Sequence, residues 1–173
     1  FGTGVLLRGL PDYFIDKANK QGLFNGRIVV VKSTAKGGTT AFDEQDNLYT
    51  QCIRGIEGGQ KVSANIVNAA ISRVLTAASQ WEQILACADN PGMQVVISNT
   101  TEVGIAYTAE SIHATPPVSF PAKLLAFLYR RYRHFRGDAG KGMVVIPTEL
   151  IPDNGHRLKE ILLQLTVYNQ LED

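Results

Sequence analysis

The sequence predicts an α/β domain with a doubly wound, mostly parallel sheet and one inserted antiparallel hairpin. Three observations carry this. Short apolar runs alternate with amphipathic stretches, the rhythm of layered βα units. The runs RIVVVK at 27–32, QVVIS at 94–98 and GMVVIP at 142–147 are rich in β-branched residues and show no polar alternation, as strands covered on both faces do. A glycine pair, Gly58-Gly59, splits two strand-like runs at 48–57 and 60–67, which suits the positive φ of a two-residue hairpin loop.

The elements follow in order. Residues 1–9 form a glycine turn, and 10–21 a helix with Leu10, Phe14, Ile15 and Ala18 at helical spacing and Gly22 to end it. After the strand at 27–32, residues 33–40 read as a polar loop and 42–47 as irregular or a short turn. Beyond the hairpin, 69–78 reads as helix or loop and 80–88 as helix. Asn90-Pro91-Gly92 is a turn, and 99–104 is the loop after the strand at 94–98. Residues 119–135 give the clearest helix, with Ser119 as cap, Pro121 in the first turn and Leu124, Leu125, Phe127, Leu128 and Tyr132 on its apolar face. Arg130, Arg131, Arg133 and Arg136 crowd its end, where cations oppose the helix dipole. The strand at 142–147 leads to a last helix at 154–170 with Leu158, Ile161, Leu162 and Leu165 on one face.

Composition narrows the function. The 173 residues suit one domain, and 45% apolar against 19% charged residues exclude a disordered chain. Seventeen Lys and Arg against sixteen Asp and Glu leave a net charge of +1, so no charge excess points to nucleic acid or a membrane surface. No apolar run is long enough to span a bilayer. Cys52 and Cys87 are too few for a disulfide scaffold and fit no zinc spacing; no metal site is expected, and both read as buried thiols in a reducing cytoplasm. No secretory signal is visible. The chain opens without Met and inside its glycine motif, so it reads as cut at its start, and also at its end, with the strand expected before Phe1 missing.

Four features can carry chemistry. The first is Gly2-Thr3-Gly4-Val5-Leu6-Leu7-Arg8-Gly9. A G-x-G-x-x-G turn opening a helix lets the backbone approach a diphosphate at the helix N-terminus; here Leu7 stands at the third glycine position and Gly9 comes two residues late. Cofactor binding and a plain turn both remain open, as do a phosphate contact and a sheet-edge role for Arg8. The second is the end of the second strand, Lys32-Ser33-Thr34, which lacks the acid that usually holds the adenosine ribose of NAD. Lys32 and Ser33 suit a 2′-phosphate, which hints at NADP, or simply a solvated strand end. The third is Asn99-Thr100-Thr101-Glu102, a hydroxyl-bearing loop beyond a strand's carboxyl end, placed for a nicotinamide or ribose or as a helix cap with an acid in the first turn. The fourth is the stretch 147–155, where Glu149 and Asn154 point to one crevice, or Asp153 or Asn154 caps the last helix. An Asn amide there can donate to a developing alkoxide. Of His113, His134 and His156, none has metal-type spacing; His134 reads as solvated and His156 as the best placed for a ligand.

Taken together, the separated pieces resemble the long-chain polyol and sugar-acid dehydrogenases, the mannitol dehydrogenase family. They are Phe-Gly-x-Gly-x-x-x-Arg-Gly at 1–9, Ile-Asp-Lys at 15–17, Gln-Gly-Leu-Phe-Asn-Gly at 21–26, Gln-Asp-x-Leu-Tyr-Thr at 45–50, Ile-Arg-Gly at 53–55, Ser-Asn-Thr-Thr-Glu at 98–102, Ser-Phe-Pro-Ala-Lys-Leu at 119–124 and Glu-Leu-Ile-x-x-Asn-Gly at 149–155. The shifted glycine spacing is this family's own. The resemblance implies a Rossmann-like N-terminal domain over 1–173 that binds NAD rather than NADP, followed by a helical C-terminal domain as partner. The family's Lys-x(4)-Asn-x(2)-His pattern, which supplies the general base, does not occur in these residues. The resemblance carries over the cofactor loop with Phe1, Gly2, Thr3, Gly4, Val5, Leu6 and Arg8 and the loop Asn99, Thr100, Thr101 and Glu102, and gives Asn154 a part in alkoxide stabilisation; Lys32 and Ser33 stay cofactor-binding candidates on the strand-end reading alone. The implied reaction is hydride transfer on a sugar-acid substrate; a related mannitol, fructuronate or sugar-phosphate dehydrogenase and a non-catalytic α/β module are the alternatives.

Overall fold

The computed structural model describes residues 1–34 and 37–171, with only the main chain of Glu102. Its elements are α1 (Val5–Gly9), α2 (Pro11–Lys20), β1 (Ile28–Lys32), α3 (Thr40–Asp43), β2 (Tyr49–Glu57), β3 (Gln60–Asn68), β4 (Ile71–Thr76), α4 (Ala77–Ala88), β5 (Val95–Ser98), α5 (Phe120–His134), β6 (Val144–Pro147) and α6 (Asn154–Tyr168). This is the expected Rossmann-like α/β fold with its antiparallel hairpin. Strands pair as β1 with β4, β2 with β3 and β5 with β6. β5 and β6 run parallel, from Val95 opposite Val144 to Ser98 opposite Pro147.

The first two residues act as strand. The Phe1 main-chain nitrogen donates to the Ile97 carbonyl (2.6 Å), the Asn99 N–H donates to the Phe1 carbonyl (3.0 Å), and the Gly2 N–H donates to the Val31 carbonyl (2.9 Å). Phe1 and Gly2 thus bridge β5 and β1. Gly2 then turns at φ +129°, a conformation open to glycine.

The chain forms two compact units, one of Phe1–Gly2, Val31–Ala35 and Leu75–Asp173, the other of Thr3–Val30 and Lys36–Val74. In the first, α5 packs on α4 and α6, and α6 on β6. Trp81, Ile84, Leu124, Phe127, Leu158, Ile161 and Leu165 are buried, as the helical spacing of the last two helices requires. Ser119 caps α5 by accepting the Ala122 N–H (3.2 Å). In the second unit, Val30, Ile71 and Val74 form a cluster with Ile28, Phe42 and Tyr49 against it. The hairpin keeps full register from Tyr49–Asn68 to Glu57–Gln60, and Gly58 and Gly59 take φ +56° and +79° at its tip. Gly22 (φ +69°) ends α2 as expected: the Leu23 N–H reaches the Ala18 carbonyl and the Gly22 N–H that of Asn19 (both 3.0 Å).

Several expectations need correction. Residues 71–76 form strand β4, where 69–78 read as helix or loop. Flanking alanines favour a helix, but Ile71, Val74 and Thr76 are β-branched and β1 offers a partner. The turn at 1–9 contains the short helix α1, and Thr40–Asp43 is helical. The loop read at 33–40 includes residues 35 and 36, which lie outside the described residues. On α2 the periodicity holds but the face is reversed: Leu10 and Phe14 are exposed, whereas Asp12 and Asp16 are buried. Asp16 accepts the Ala69 N–H (2.9 Å) and pairs with Lys20 (2.6 Å), which explains its burial. On α5, Tyr132 is exposed and Arg131 is buried in its stead. Cys87 is buried as expected, but Cys52 lies on the outward face of β2 and is exposed.

Candidate functional site

Beyond the carboxyl ends of β5 and β6 the chain builds one tightly bonded corner. Glu149 stands at its centre and is buried. Its Oε1 accepts the Thr100 N–H (2.8 Å) and the Thr100 hydroxyl (3.1 Å), and its Oε2 accepts the Ser98 hydroxyl (3.2 Å). The Asn99 amide donates to the Thr148 carbonyl (2.9 Å), and the Thr148 hydroxyl and N–H both donate to the Ser98 carbonyl (2.7 and 2.8 Å). The end of β5 at Ser98 and the loop at 99–100 are therefore fixed to the loop after β6. Phe1 closes the same unit, its ring against Phe120 and Phe127 at 5.5 and 6.4 Å between centroids. Thr101 is exposed at the rim, where its carbonyl accepts the Gly104 N–H (2.7 Å) and its side chain caps nothing.

Asn154 lies in this corner too. Both hydrogen bonds from its Nδ2 go to main-chain carbonyls, Pro147 (2.9 Å) and Glu149 (3.0 Å). These account for both amide hydrogens, so a bond to an alkoxide requires giving one up. Asp153 precedes α6 with φ +51° and makes no side-chain cap bond.

Lys32, placed by sequence at a strand end open to phosphate, is buried, and its Nζ donates to the Thr34 carbonyl (2.5 Å). Next to it the Ser33 hydroxyl is buried without a hydrogen-bond partner among the described residues.

In the other unit, α1 begins after Gly4, whose φ of −73° suits any residue. Val5 and Leu6 are exposed and Leu7 is buried. The N–H groups of the first turn have no partners within the helix, which leaves donors at that end. Arg8 lies over the Phe42 ring at 5.9 Å, and its buried Nε has no partner among the described residues. Sequence reasoning missed what holds α1 from behind. The Tyr49 hydroxyl donates to the Arg8 carbonyl (2.8 Å), and the Gln51 amide to the Gly9 carbonyl (3.0 Å). The Tyr49 oxygen is also 3.5 Å from the Asp12 carboxylate. Burial pushes the Asp12 carboxyl up to about 6, with Tyr49 and Arg8 opposing it. Burial and the neighbouring Asp12 push the Tyr49 phenol up as well. The residues one helical turn from Asp12 are Arg8, Gly9, Ile15 and Asp16, so nothing local in the sequence marks it for burial.

His156, His134 and the arginines Arg130 and Arg131 of α5 have partners of their own. His156 meets Glu160 on the exposed side of α6 (3.2 Å). His134 and Arg130 share Asp89: Arg130 binds both its oxygens (2.9 and 2.6 Å), which holds that carboxyl low, and His134 lies 3.4 Å away. Arg131 donates to the carbonyls of Ala88, Asn90 and Lys141 (2.9, 2.9 and 2.5 Å), a structural role. Among the described residues no group of three His, Cys, Asp or Glu is placed to hold a metal ion, and no helix is long and apolar enough to cross a membrane.

Comparison with known proteins finds relatives in sequence and in fold. An altronate oxidoreductase of Halalkalibacterium halodurans is 43% identical over 164 residues, covering 94% of this chain and 32% of the relative. One from Klebsiella pneumoniae is 42% identical over 173 residues, covering 99% and 36%. The chain thus spans about a third of the length of these curated relatives. Among solved structures, mannitol 2-dehydrogenase of Pseudomonas fluorescens, in a ternary complex with NAD and D-mannitol, shares the fold with a TM-score of 0.81 at 20% identity, over 99% of this chain and 37% of that one. A substrate-free D-sorbitol dehydrogenase gives 0.77 at 20% identity, over 99% and 38%. The profile described as the mannitol dehydrogenase Rossmann domain matches residues 1–173, and the chain belongs to that oxidoreductase family.

Proposed function

We propose that residues 1–173 are the N-terminal, NAD-binding domain of an oxidoreductase that interconverts D-tagaturonate and D-altronate. The observation that carries this is identity of about two residues in five with altronate oxidoreductases along nearly the whole chain. The donor set fits a dinucleotide. The first-turn N–H groups of α1 suit a diphosphate, and Arg8 Nε and Ser33 Oγ are buried polar atoms with no partner among the described residues. Asn99, Thr100 and Thr101 take the nicotinamide end, and Phe1, Thr3, Val5 and Leu6 border the turn. Gly2 contributes its conformation rather than its N–H, which is spent on Val31. Lys32 is committed to Thr34, so it offers no ready cation for a 2′-phosphate, which supports NAD over NADP.

The coenzyme supplies the hydride chemistry when bound. These residues bind and orient it. Asn154 holds the loop beside it and serves an alkoxide only by releasing one carbonyl. The proton is taken by a base outside these residues, on a helical second domain of the same chain. The exposed row Leu6, Leu10 and Phe14 supports such a partner, since apolar side chains in helical register ordinarily face a neighbour. The substrate is a small sugar acid, in the cytoplasm.

Calorimetric titration of the protein and its Gly4→Val variant with NADH and NADPH tests this. Gly4 has ordinary φ, so valine brings no backbone strain there, and in a variant that keeps its fold it probes close approach of a ligand. The expected result is NADH binding by the parent, preferred over NADPH, and its loss in a folded variant. No binding of either coenzyme by the parent refutes the reading.

A further inference from the structure

We propose that Glu149 determines which redox form of the coenzyme this domain prefers, its buried negative charge favouring the cationic oxidised nicotinamide over the neutral reduced one. The inference rests on the coenzyme reading above and concerns a residue that reading leaves unused. Glu149 is only 3% exposed, yet its three hydrogen bonds come from neutral donors: the Ser98 hydroxyl and the Thr100 hydroxyl and N–H. Among the described residues no Lys, Arg or His stands within ion-pair distance of it. Buried carboxylates are ordinarily paired with a cation. Here the donors suit the ionised form, which accepts only, and leave its charge uncancelled.

Position makes that charge useful. Glu149 lies two residues beyond β6, and its oxygens bind the loop after β5, the loop assigned to the nicotinamide end. Its own main chain is held, with the carbonyl accepting from Asn154 (3.0 Å) and from the Ile151 N–H (2.8 Å). The carboxylate is thus a fixed charge on a rigid corner. The two coenzyme forms share the adenosine, both riboses and the diphosphate, and differ by one positive charge on the nicotinamide ring. A fixed anion nearby, in surroundings poorer in water than bulk, distinguishes them.

The test is binding of NAD⁺, NADH and ADP-ribose to the parent and to E149Q, with thermal unfolding to verify the fold. Glutamine keeps one acceptor oxygen for Thr100 and its amide can face the Ser98 hydroxyl, so the loop holds while the charge goes. The expected result is NAD⁺ affinity down by about tenfold relative to NADH, as removal of one nearby charge in a partly wet site implies, with ADP-ribose unchanged. A parallel loss for all three ligands, or an unmoved ratio, overturns the inference while coenzyme binding stands. A parent that binds none of them removes the coenzyme reading and this inference with it. If E149Q does not fold, E149D decides. It keeps the charge, so a ratio within about twofold of the parent is expected, and a tenfold move shows that packing sets the preference rather than charge.

Discussion

Asp12→Asn should stabilise the protein at alkaline pH and flatten its pH dependence. Asp12 is buried on α2 and has its carboxyl raised from 3.8 to about 6 by that burial. A raised carboxyl means that the folded state holds its proton more tightly than the unfolded chain. Between pH 3.8 and 6 the folded state therefore binds more protons, and stability falls as pH rises. The loss is complete above about 6. At about 1.4 kcal/mol per unit the shift implies ~3 kcal/mol, and partial access of solvent reduces this to ~1–3 kcal/mol. Asparagine mimics the protonated acid and keeps an oxygen for the Tyr49 hydroxyl, 3.5 Å away. Urea unfolding at pH 5 and pH 8, compared between parent and variant, isolates this group from the others. The variant should gain ~1–3 kcal/mol over the parent at pH 8 and less at pH 5. A variant less stable than the parent at pH 8, or an unchanged difference between the two pH values, refutes the reasoning.

Two further substitutions test the packing. Arg131→Met leaves the carbonyls of Ala88, Asn90 and Lys141 without their donor, at a cost of ~2–4 kcal/mol in urea unfolding; a change under ~1 kcal/mol contradicts the structural role. Ser119→Ala removes the cap on the Ala122 N–H and should cost ~1 kcal/mol, lowering the thermal midpoint, while Ser119→Thr, which keeps the hydroxyl without adding a charge beside Glu110, should restore it.

Local chemistry made most of the fold legible. Gly58-Gly59 announced the hairpin because glycine takes the positive φ of a tight two-residue loop without strain, and Ser119 with Pro121 announced α5 because caps are written in single residues. Strand β4 was not legible. Alanines flank it, and what decides its state is hydrogen bonding to β1, far away in sequence. The reversed face of α2 escaped for a related reason. Leu10 and Phe14 advertise a buried stripe, but in this chain the burial goes to Asp12 and Asp16, whose partners Tyr49 and Ala69 come from the hairpin region. At the candidate site, the loop at 99–101 could be read from its place after a buried strand. The clasp by Glu149 could not, because it joins residues 49 and 51 apart. Gly2 shows the limit of motif reading. Its glycine is needed for the turn, as the motif implies, but its N–H serves the sheet.

The most direct test of the central claim is a nuclear magnetic resonance titration of the amide signals with NADH. The account predicts shifts at Thr3 to Leu7 and at Asn99 to Thr101, with the hairpin tip at Gly58 and Gly59 unmoved. Saturating NADH that leaves both segments undisturbed, or moves only signals elsewhere, would contradict it.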